Sequence, residues 1–257
     1  ECSRKQKLQE KLHRVFHQYG FEDIETPTFE YFEVFSKEVG TIPSRELYKF
    51  FDREGNTLVL RPDFTPSVSR ACATYFNPEK EVVSLCYTGN TFINNSSFRG
   101  RLKETTQMGV ERMGDDSPEA DAEILAMTVE CLLATGLTEF QVSVGQVDYY
   151  KAIFAQTGMS QEEEEELREL ISQKNYFGVE ELVKNKNMDK SLARVLSQLP
   201  QMFGSTEVLE KAKSLTDNPQ ALKAVTRLEE IYELLKVYGY EKYVTFDFAM
   251  LSKYHYY

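Results

Sequence analysis

Long apolar runs are missing from this sequence of 257 residues. No stretch of eighteen consecutive apolar residues occurs, so the sequence predicts no transmembrane helix. The polar residues 1–5 are not followed by the apolar segment of a signal peptide. These absences predict a cytoplasmic protein without membrane association.

Cysteine and histidine are also scarce. The cysteines are Cys2, Cys72, Cys86 and Cys131. None of them forms a C-x-x-C pair, so neither a disulfide framework nor a zinc site is expected. His13 and His17 have a helical spacing that can bind metal, but no H-E-x-x-H pattern accompanies them. The sequence therefore predicts buried reduced thiols, a histidine pair on a helix surface, and neither a metal nor another cofactor.

An excess of positive charge is absent as well. The chain has 41 acidic and 30 basic residues, giving a formal net charge of -11 at pH 7. This balance disfavours broad electrostatic attraction to nucleic acid or to anionic membranes. We therefore expect no nucleic-acid partner. The length suits one large domain or one domain with an insertion.

Hydrophobic periodicity predicts a helix at the start of the chain, followed by strands. Apolar residues at helical spacing predict a helix over residues 3–19. Residues 47–51 and 57–60 are predicted strands joined by a polar turn. Thr65 is the predicted N-cap of the next helix, with Pro66 at its first position.

A long hairpin is predicted next, with strands over residues 82–92 and 104–114. Ser117 then opens a predicted helix. From about residue 149 the pattern is almost entirely helical, and Ser160 and Glu163 form a predicted capping box.

Strand character returns near residue 243, so the chain is predicted to fold as an α+β domain with an antiparallel sheet flanked by helices. The predicted limits are residues 1–148 for the first part of the core and 149–240 for a helical insertion. Residues 241–257 are a predicted return to the core, whose sheet would continue beyond the chain end.

Three separated segments carry polar residues in an informative order. They are the L-R-P-D-F-T-P of residues 60–66, residues 87–114, and residues 246–257. Together they resemble the class II aminoacyl-tRNA synthetases, in particular histidyl-tRNA synthetase, over essentially the whole chain. Thr26 and Pro27 resemble the first motif of that class, a dimer-interface element. The resemblance implies a class II synthetase-like fold and a homodimer.

The resemblance also implies a histidine-binding site of five residues. Asp63 and Thr65 match the positions that bind the amino group, and Gln107 matches a glutamine that assists them. Glu111 and Tyr257 match the residues that contact the imidazole. The chemistry is consistent, because an ammonium needs oxygen acceptors and each imidazole N–H needs one acceptor.

The ATP-binding half of the family's site does not carry over. In the family, the phenylalanine of motif 2 begins the pattern F-R-x-E-R. In this sequence Phe92 is followed by I-N-N-S, so both arginines and the glutamate are absent. A late arginine of the family aligns with Ser252, and the point charge of the shifted Lys253 does not reproduce a bidentate guanidinium. Without arginines to meet the charge on the α-phosphate, adenylate formation should lose several kcal/mol of transition-state stabilisation.

This combination resembles a paralogous family, the regulatory subunits of ATP phosphoribosyltransferase in histidine biosynthesis. That resemblance implies a non-catalytic protein that activates a short-form catalytic subunit and mediates feedback by its ligand histidine. It also implies a homodimer within a hetero-oligomer. Two alternatives stay open. One is a divergent or truncated histidyl-tRNA synthetase that forms histidyl-adenylate, and the other is a binding module of unrelated function.

Each candidate residue also has an ordinary structural interpretation. Asp63 and Thr65 could form only a helix cap, and Arg61 could pair with an acidic neighbour. Gln107 and Glu111 could belong to the polar face of a strand. The shared order and spacing of these residues favours the binding site over these separate interpretations.

Overall fold

Helices and three small sheets make up the described part of the chain. The computed structural model describes residues 1–36, 42–95, 100–186 and 188–251. The helices among them are α1 (Cys2–Gln18), α2 (Glu33–Ser36), α3 (Thr65–Tyr75), α4 (Pro118–Thr135), α5 (Val147–Phe154), α6 (Gln161–Ser172), α7 (Tyr176–Asn185), α8 (Lys190–Gln198), α9 (Thr206–Ser214) and α10 (Pro219–Tyr238). The strands are β1 (Glu22–Asp23), β2 (Phe29–Tyr31), β3 (Lys49–Phe51), β4 (Thr57–Leu60), β5 (Val83–Phe92), β6 (Glu104–Met113), β7 (Val142–Val144), β8 (Phe203–Gly204) and β9 (Val244–Asp247).

The described chain divides into two compact units. The first comprises Glu1–Asp116, and the second comprises the described part of Ser117–Ser252. The α+β class is confirmed, and the predicted limits of the helical insertion, residues 149–240, stay a prediction. None of the helices in the described ranges is long and apolar enough to cross a membrane.

The first unit contains two three-stranded sheets. One has the order β1-β5-β6, with a parallel β1–β5 pair and the predicted antiparallel β5–β6 hairpin. The other has the order β2-β4-β3 and is antiparallel throughout. Helix α3 packs on the first sheet through a buried cluster that includes Phe64, Val68, Cys72, Leu85 and Tyr87. The hairpin thereby gains a rigid apolar support beside its polar residues.

Helix α1 confirms the predicted first helix and lies against the β1-β5-β6 sheet. It buries Val15 and Phe16, and Lys5 donates a hydrogen bond to the Thr106 hydroxyl on β6. All four cysteines are free thiols, and Cys72 and Cys86 are buried as predicted. The prediction of burial was wrong for Cys2, which is the exposed first residue of α1, and Cys131 is only partly buried.

The start of α3 corrects one sequence-based prediction. Thr65 was predicted to cap this helix, but Phe64 is the residue before the first turn and no side chain caps it. Thr65 is already helical, and its hydroxyl donates to Glu111 on β6. The threonine therefore connects the helix to the hairpin instead of closing the helix end.

The second unit combines α4 to α10 with a β7-β9-β8 sheet, in which β7 and β9 are parallel. Local signals in this unit are confirmed. The Ser117 hydroxyl accepts the Ala120 N–H at the start of α4, as an N-cap should. Ser160 and Glu163 form the predicted reciprocal capping box at the start of α6.

Candidate functional site

The half-buried carboxylate of Glu111 on β6 is the centre of the candidate site in the first unit. The Thr65 hydroxyl donates to Glu111 Oε1 over 2.7 Å, and the Tyr87 hydroxyl donates to the same oxygen over 3.5 Å. Within the described residues, Glu111 Oε2 accepts no hydrogen bond. The helix and the hairpin thus fix one oxygen of the carboxylate, and the second oxygen can accept from a ligand.

Asp63 lies in the same acidic environment. Its Oδ1 accepts the backbone N–H of Phe64 over 2.7 Å, which fixes the side chain at the entry to α3. Burial raises the pKa of Glu111, and the negative charge of Asp63 adds to that effect. The hydrogen bonds from Thr65 and Tyr87 act in the opposite direction. Two neighbouring, partly buried carboxylates favour a cationic or N–H-rich ligand.

Gln107 lies on the same face of β6 as Glu111, because the two residues are four positions apart in a strand. Its partner across the hairpin is Gly89. A Cβ at Gly89 would lie 2.5 Å from Arg61 Nη2 and 2.7 Å from Phe64 Cζ, so only glycine fits there. In the described ranges, the Gln107 amide makes no hydrogen bond and remains available to a ligand.

The side chains beneath the carboxylates form an ordered stack. The Tyr87 and Phe64 rings stack at a centroid distance of 4.3 Å, and the Arg61 guanidinium lies 4.0 Å from the centroid of Phe64. Arg61 Nε donates to the Asn90 carbonyl over 2.8 Å, and Nη1 donates to the Thr26 carbonyl over 2.9 Å. These carbonyl bonds fix the guanidinium, and the charge of Glu25 also acts on it, as in the structural interpretation of Arg61 beside an acidic neighbour. Arg61 holds the start of the L-R-P-D segment against the hairpin.

The structure brings Asp63, Thr65 and Glu111 together and places Gln107 on the same strand face. Their predicted roles in histidine binding stay predictions. The fifth residue, Tyr257, lies outside the described residues, as do Ser252 and Lys253.

Tyr87 is the site residue that the sequence interpretation missed. It contacts Glu111 from β5 and lies opposite Gly109, the residue midway between Gln107 and Glu111. A Cβ at Gly109 would overlap the Tyr87 hydroxyl and ring carbons. The sequence signal for Tyr87 is a large residue that lies opposite a glycine, Gly109, in the hairpin. Reading that signal requires knowing which residues pair across the two strands.

The segment after Phe92 carries no guanidinium in its described part. The Ile93 N–H donates to the Lys103 carbonyl over 2.9 Å, and the Asn94 N–H donates to the Glu46 carbonyl over 2.8 Å. The Asn95 amide donates to the Leu102 carbonyl over 3.4 Å. These residues continue the hairpin with backbone pairing and place neutral side chains where the synthetase pattern has charged ones.

The fold and the arrangement of the site define a class II aminoacyl-tRNA synthetase-like domain. A solved histidyl-tRNA synthetase from Nostoc superposes with a TM-score of 0.80 over 100% of this chain and 60% of its own, at 20% identity, which supports the fold alone. The chain belongs to the histidyl-tRNA synthetase family, whose model matches residues 1–257.

Relatives with higher sequence identity are named as regulatory subunits. The chain is 39% identical to the ATP phosphoribosyltransferase regulatory subunit of Acetivibrio thermocellus, over 100% of this chain and 62% of that protein. It is 38% identical to the protein of the same name from Ruminiclostridium cellulolyticum, over 100% of this chain and 61% of that protein.

A solved structure from Bacillus halodurans, described as an ATP phosphoribosyltransferase regulatory subunit/histidyl-tRNA synthetase, has a TM-score of 0.87 at 32% identity. It is matched over 98% of this chain and 66% of its own. The chain thus spans less than two thirds of the length of these relatives.

Proposed function

We propose that this chain is the synthetase-like part of a non-catalytic regulatory subunit of ATP phosphoribosyltransferase in histidine biosynthesis. The names of the relatives that share 38–39% of its residues support this proposal. One observation carries it. Asp63, Thr65 and Glu111 form an acidic cluster, which we propose is the histidine pocket, whereas Ile93 to Asn95 after Phe92 include no arginine.

The pocket suits histidine at both ends of the ligand. The Asp63 carboxylate, the Thr65 hydroxyl and the Gln107 carbonyl oxygen supply acceptors for an ammonium. The open Oε2 of Glu111 supplies a charged acceptor for one imidazole N–H, and Tyr257 completes the imidazole contacts in this proposal. Since free histidine carries an ammonium and at least one ring N–H, this acceptor set is matched to it.

In the described residues that directly follow Phe92, the nucleotide end of the site has no cationic side chain. Forming an adenylate requires cationic groups aimed at the charge that develops on the α-phosphate. Neutral residues follow Phe92, so binding of histidine would not be followed by its activation. The protein then acts through a partner, and the short-form catalytic phosphoribosyltransferase subunit is the partner we propose. A cytoplasmic homodimer within a hetero-oligomer, with histidine as feedback ligand, completes the proposal.

Two assays separate this function from its main alternative. The regulatory proposal expects activation of the short catalytic subunit from the same organism and no histidine-dependent exchange of pyrophosphate into ATP. A divergent histidyl-tRNA synthetase remains the alternative because the family and the acidic pocket are shared. Pyrophosphate exchange above the level of a histidine-free control would establish the synthetase and overturn the regulatory proposal.

Histidine calorimetry with a matched pair of threonine variants tests the pocket. Thr65→Val removes the hydroxyl that contacts Glu111, and Thr74→Val removes an exposed hydroxyl that bonds only within α3. We expect a roughly threefold to tenfold loss of affinity in the first variant, the value of one hydrogen bond, and none in the second. A wild-type protein that binds no histidine would instead favour a binding module of unrelated function.

A further inference from the structure

Two histidines, an aspartate and a cysteine converge where α1 crosses β1 and β5. His13 Nε2 lies 2.5 Å from Asp23 Oδ1, and His17 Nε2 lies 3.0 Å from Asp23 Oδ2. The Cys86 thiol lies 3.4 Å from Asp23 Oδ1. One ligand atom from each of the four residues lies within 4.8 Å of the other three. None of these residues takes part in the candidate site described above.

We propose that His13, His17, Asp23 and Cys86 form a binding site for a single zinc ion. Zinc is bound in proteins by imidazole nitrogen, thiolate sulfur and carboxylate oxygen, most often by four ligands in a tetrahedron. The mixed nitrogen, oxygen and sulfur set here suits zinc. Magnesium and calcium prefer all-oxygen sets. The proposal is independent of the proposed regulatory function.

The distances are close to those of a tetrahedral site. Bond lengths of about 2.0–2.3 Å give distances of roughly 3.3–3.8 Å between ligand atoms. The present contacts of 2.5–3.4 Å around Asp23 therefore need to open by at most about an ångström. Side-chain rotation can supply that change, because the side chains of His13, His17 and Asp23 are 37%, 46% and 58% exposed.

The backbone presets the arrangement. His13 and His17 are one turn apart on α1, so both rings lie on one helix face, with centroids 4.1 Å apart. The parallel pairing of β1 with β5 puts Asp23 directly beside Cys86. Three separate elements thus deliver their ligands to one point, whereas a pair of surface histidines would need only the helix.

The thiol of Cys86 is the buried member of the cluster. Cys86 is fully buried, and its Sγ faces a carboxylate oxygen. Zinc would bind the thiolate form of Cys86, with the thiol proton released to solvent, and would connect α1 to two strands of the sheet.

Metal titration of the purified, tag-free protein tests the site. We expect one equivalent of zinc to bind, and cobalt(II) to give tetrahedral d–d bands together with a thiolate-to-cobalt charge-transfer band. Cys86→Ser should abolish the charge-transfer band and weaken zinc binding at least roughly 100-fold, because even indirect partners of a metal ligand contribute 10- to 100-fold. The matched control is Cys72→Ala, which removes a buried thiol of the same unit that lies outside the cluster.

A second variant protects the test against misfolding. His17→Gln changes a half-exposed helix residue and should weaken zinc binding without altering the circular dichroism spectrum. Absence of stoichiometric zinc binding in the wild-type protein would overturn the proposal. Cobalt charge transfer that persists in Cys86→Ser, for instance through the exposed Cys2, would overturn it equally.

Discussion

Replacing the Glu111 carboxylate with an amide separates its effect on the fold from its effect on the site. Glu111→Gln keeps the size of the side chain and an oxygen that can accept from Thr65, but it removes the negative charge. Burial and the charge of Asp63 disfavour that negative charge in the folded protein. We therefore expect the variant to be at least as stable as the wild type at pH 7 and to bind histidine more weakly.

The size of the affinity loss follows from the hydrogen bond that Oε2 would accept. A hydrogen bond to a charged group contributes about 1.5–3 kcal/mol, and one between neutral groups contributes about 0.5–1.5 kcal/mol. The difference of about 1–1.5 kcal/mol corresponds to a roughly 5- to 15-fold weaker dissociation constant. Glu111→Ala loses the whole bond and should bind roughly 10- to 150-fold more weakly.

Calorimetry with histidine measures the affinity, and urea unfolding across a pH series measures the stability. The pKa of Glu111 is higher in the folded protein than in the unfolded chain, so the folded state binds more protons between the two values. This contribution to wild-type stability is greatest at low pH and declines as the pH rises through the folded-state pKa. The Gln variant should lack that decline.

Two results would refute this reasoning. An unchanged histidine affinity in Glu111→Gln would mean that the ligand does not use the carboxylate. A clear loss of stability at pH 7 would mean that the charge supports the fold. Glu104→Gln is the control, because Glu104 is an exposed residue of the same strand whose carboxylate accepts a hydrogen bond from the Asn90 side chain. It should change neither measurement.

Three further substitutions test the support of the site and the fold. Gly109→Ala places a Cβ against the Tyr87 ring, so urea unfolding should show a loss of about 1–3 kcal/mol from overpacking. Arg61→Lys cannot reproduce the fork of carbonyl bonds or the stacking on Phe64, and thermal unfolding should show a loss of about 1–3 kcal/mol. Ser160→Ala removes one half of the capping box and should cost about 1 kcal/mol by the same assay, whereas equal stability would contradict the capping argument.

Local patterns predicted the fold where the determining contacts are themselves local. The capping box of Ser160 and Glu163 needs only a three-residue spacing, and the hairpin needs only strand periodicity. The N-cap prediction for Thr65 was wrong for the opposite reason. The partner of its hydroxyl is Glu111, 46 positions away, and a local preference contains no information about that contact.

The residues of the candidate site also divide into those that the sequence predicts and those that only the tertiary contacts reveal. The order of motifs predicts Asp63, Thr65 and Glu111 as members of one site, and the structure brings these three residues together. Tyr87 could not be identified without the register that sets it opposite Gly109. Cys86 and Asp23 are 63 positions apart and meet only through a parallel strand pair, so the absence of a C-x-x-C spacing said nothing about their cluster.

The pleat of β5 assigns these two regions to opposite faces of one sheet. Tyr87 faces α3 and the carboxylate of Glu111, whereas the adjacent Cys86 faces α1 and its histidines. A zinc ion bound to Cys86 would therefore be attached to the residue next to Tyr87, which contacts Glu111 in the proposed histidine site. Any effect of zinc on histidine affinity must then be matched by an equal effect of histidine on zinc affinity, because coupling between two binding sites is reciprocal. Measuring both affinities in one protein distinguishes a coupled pair of sites from a structural metal that only fixes α1 to the sheet.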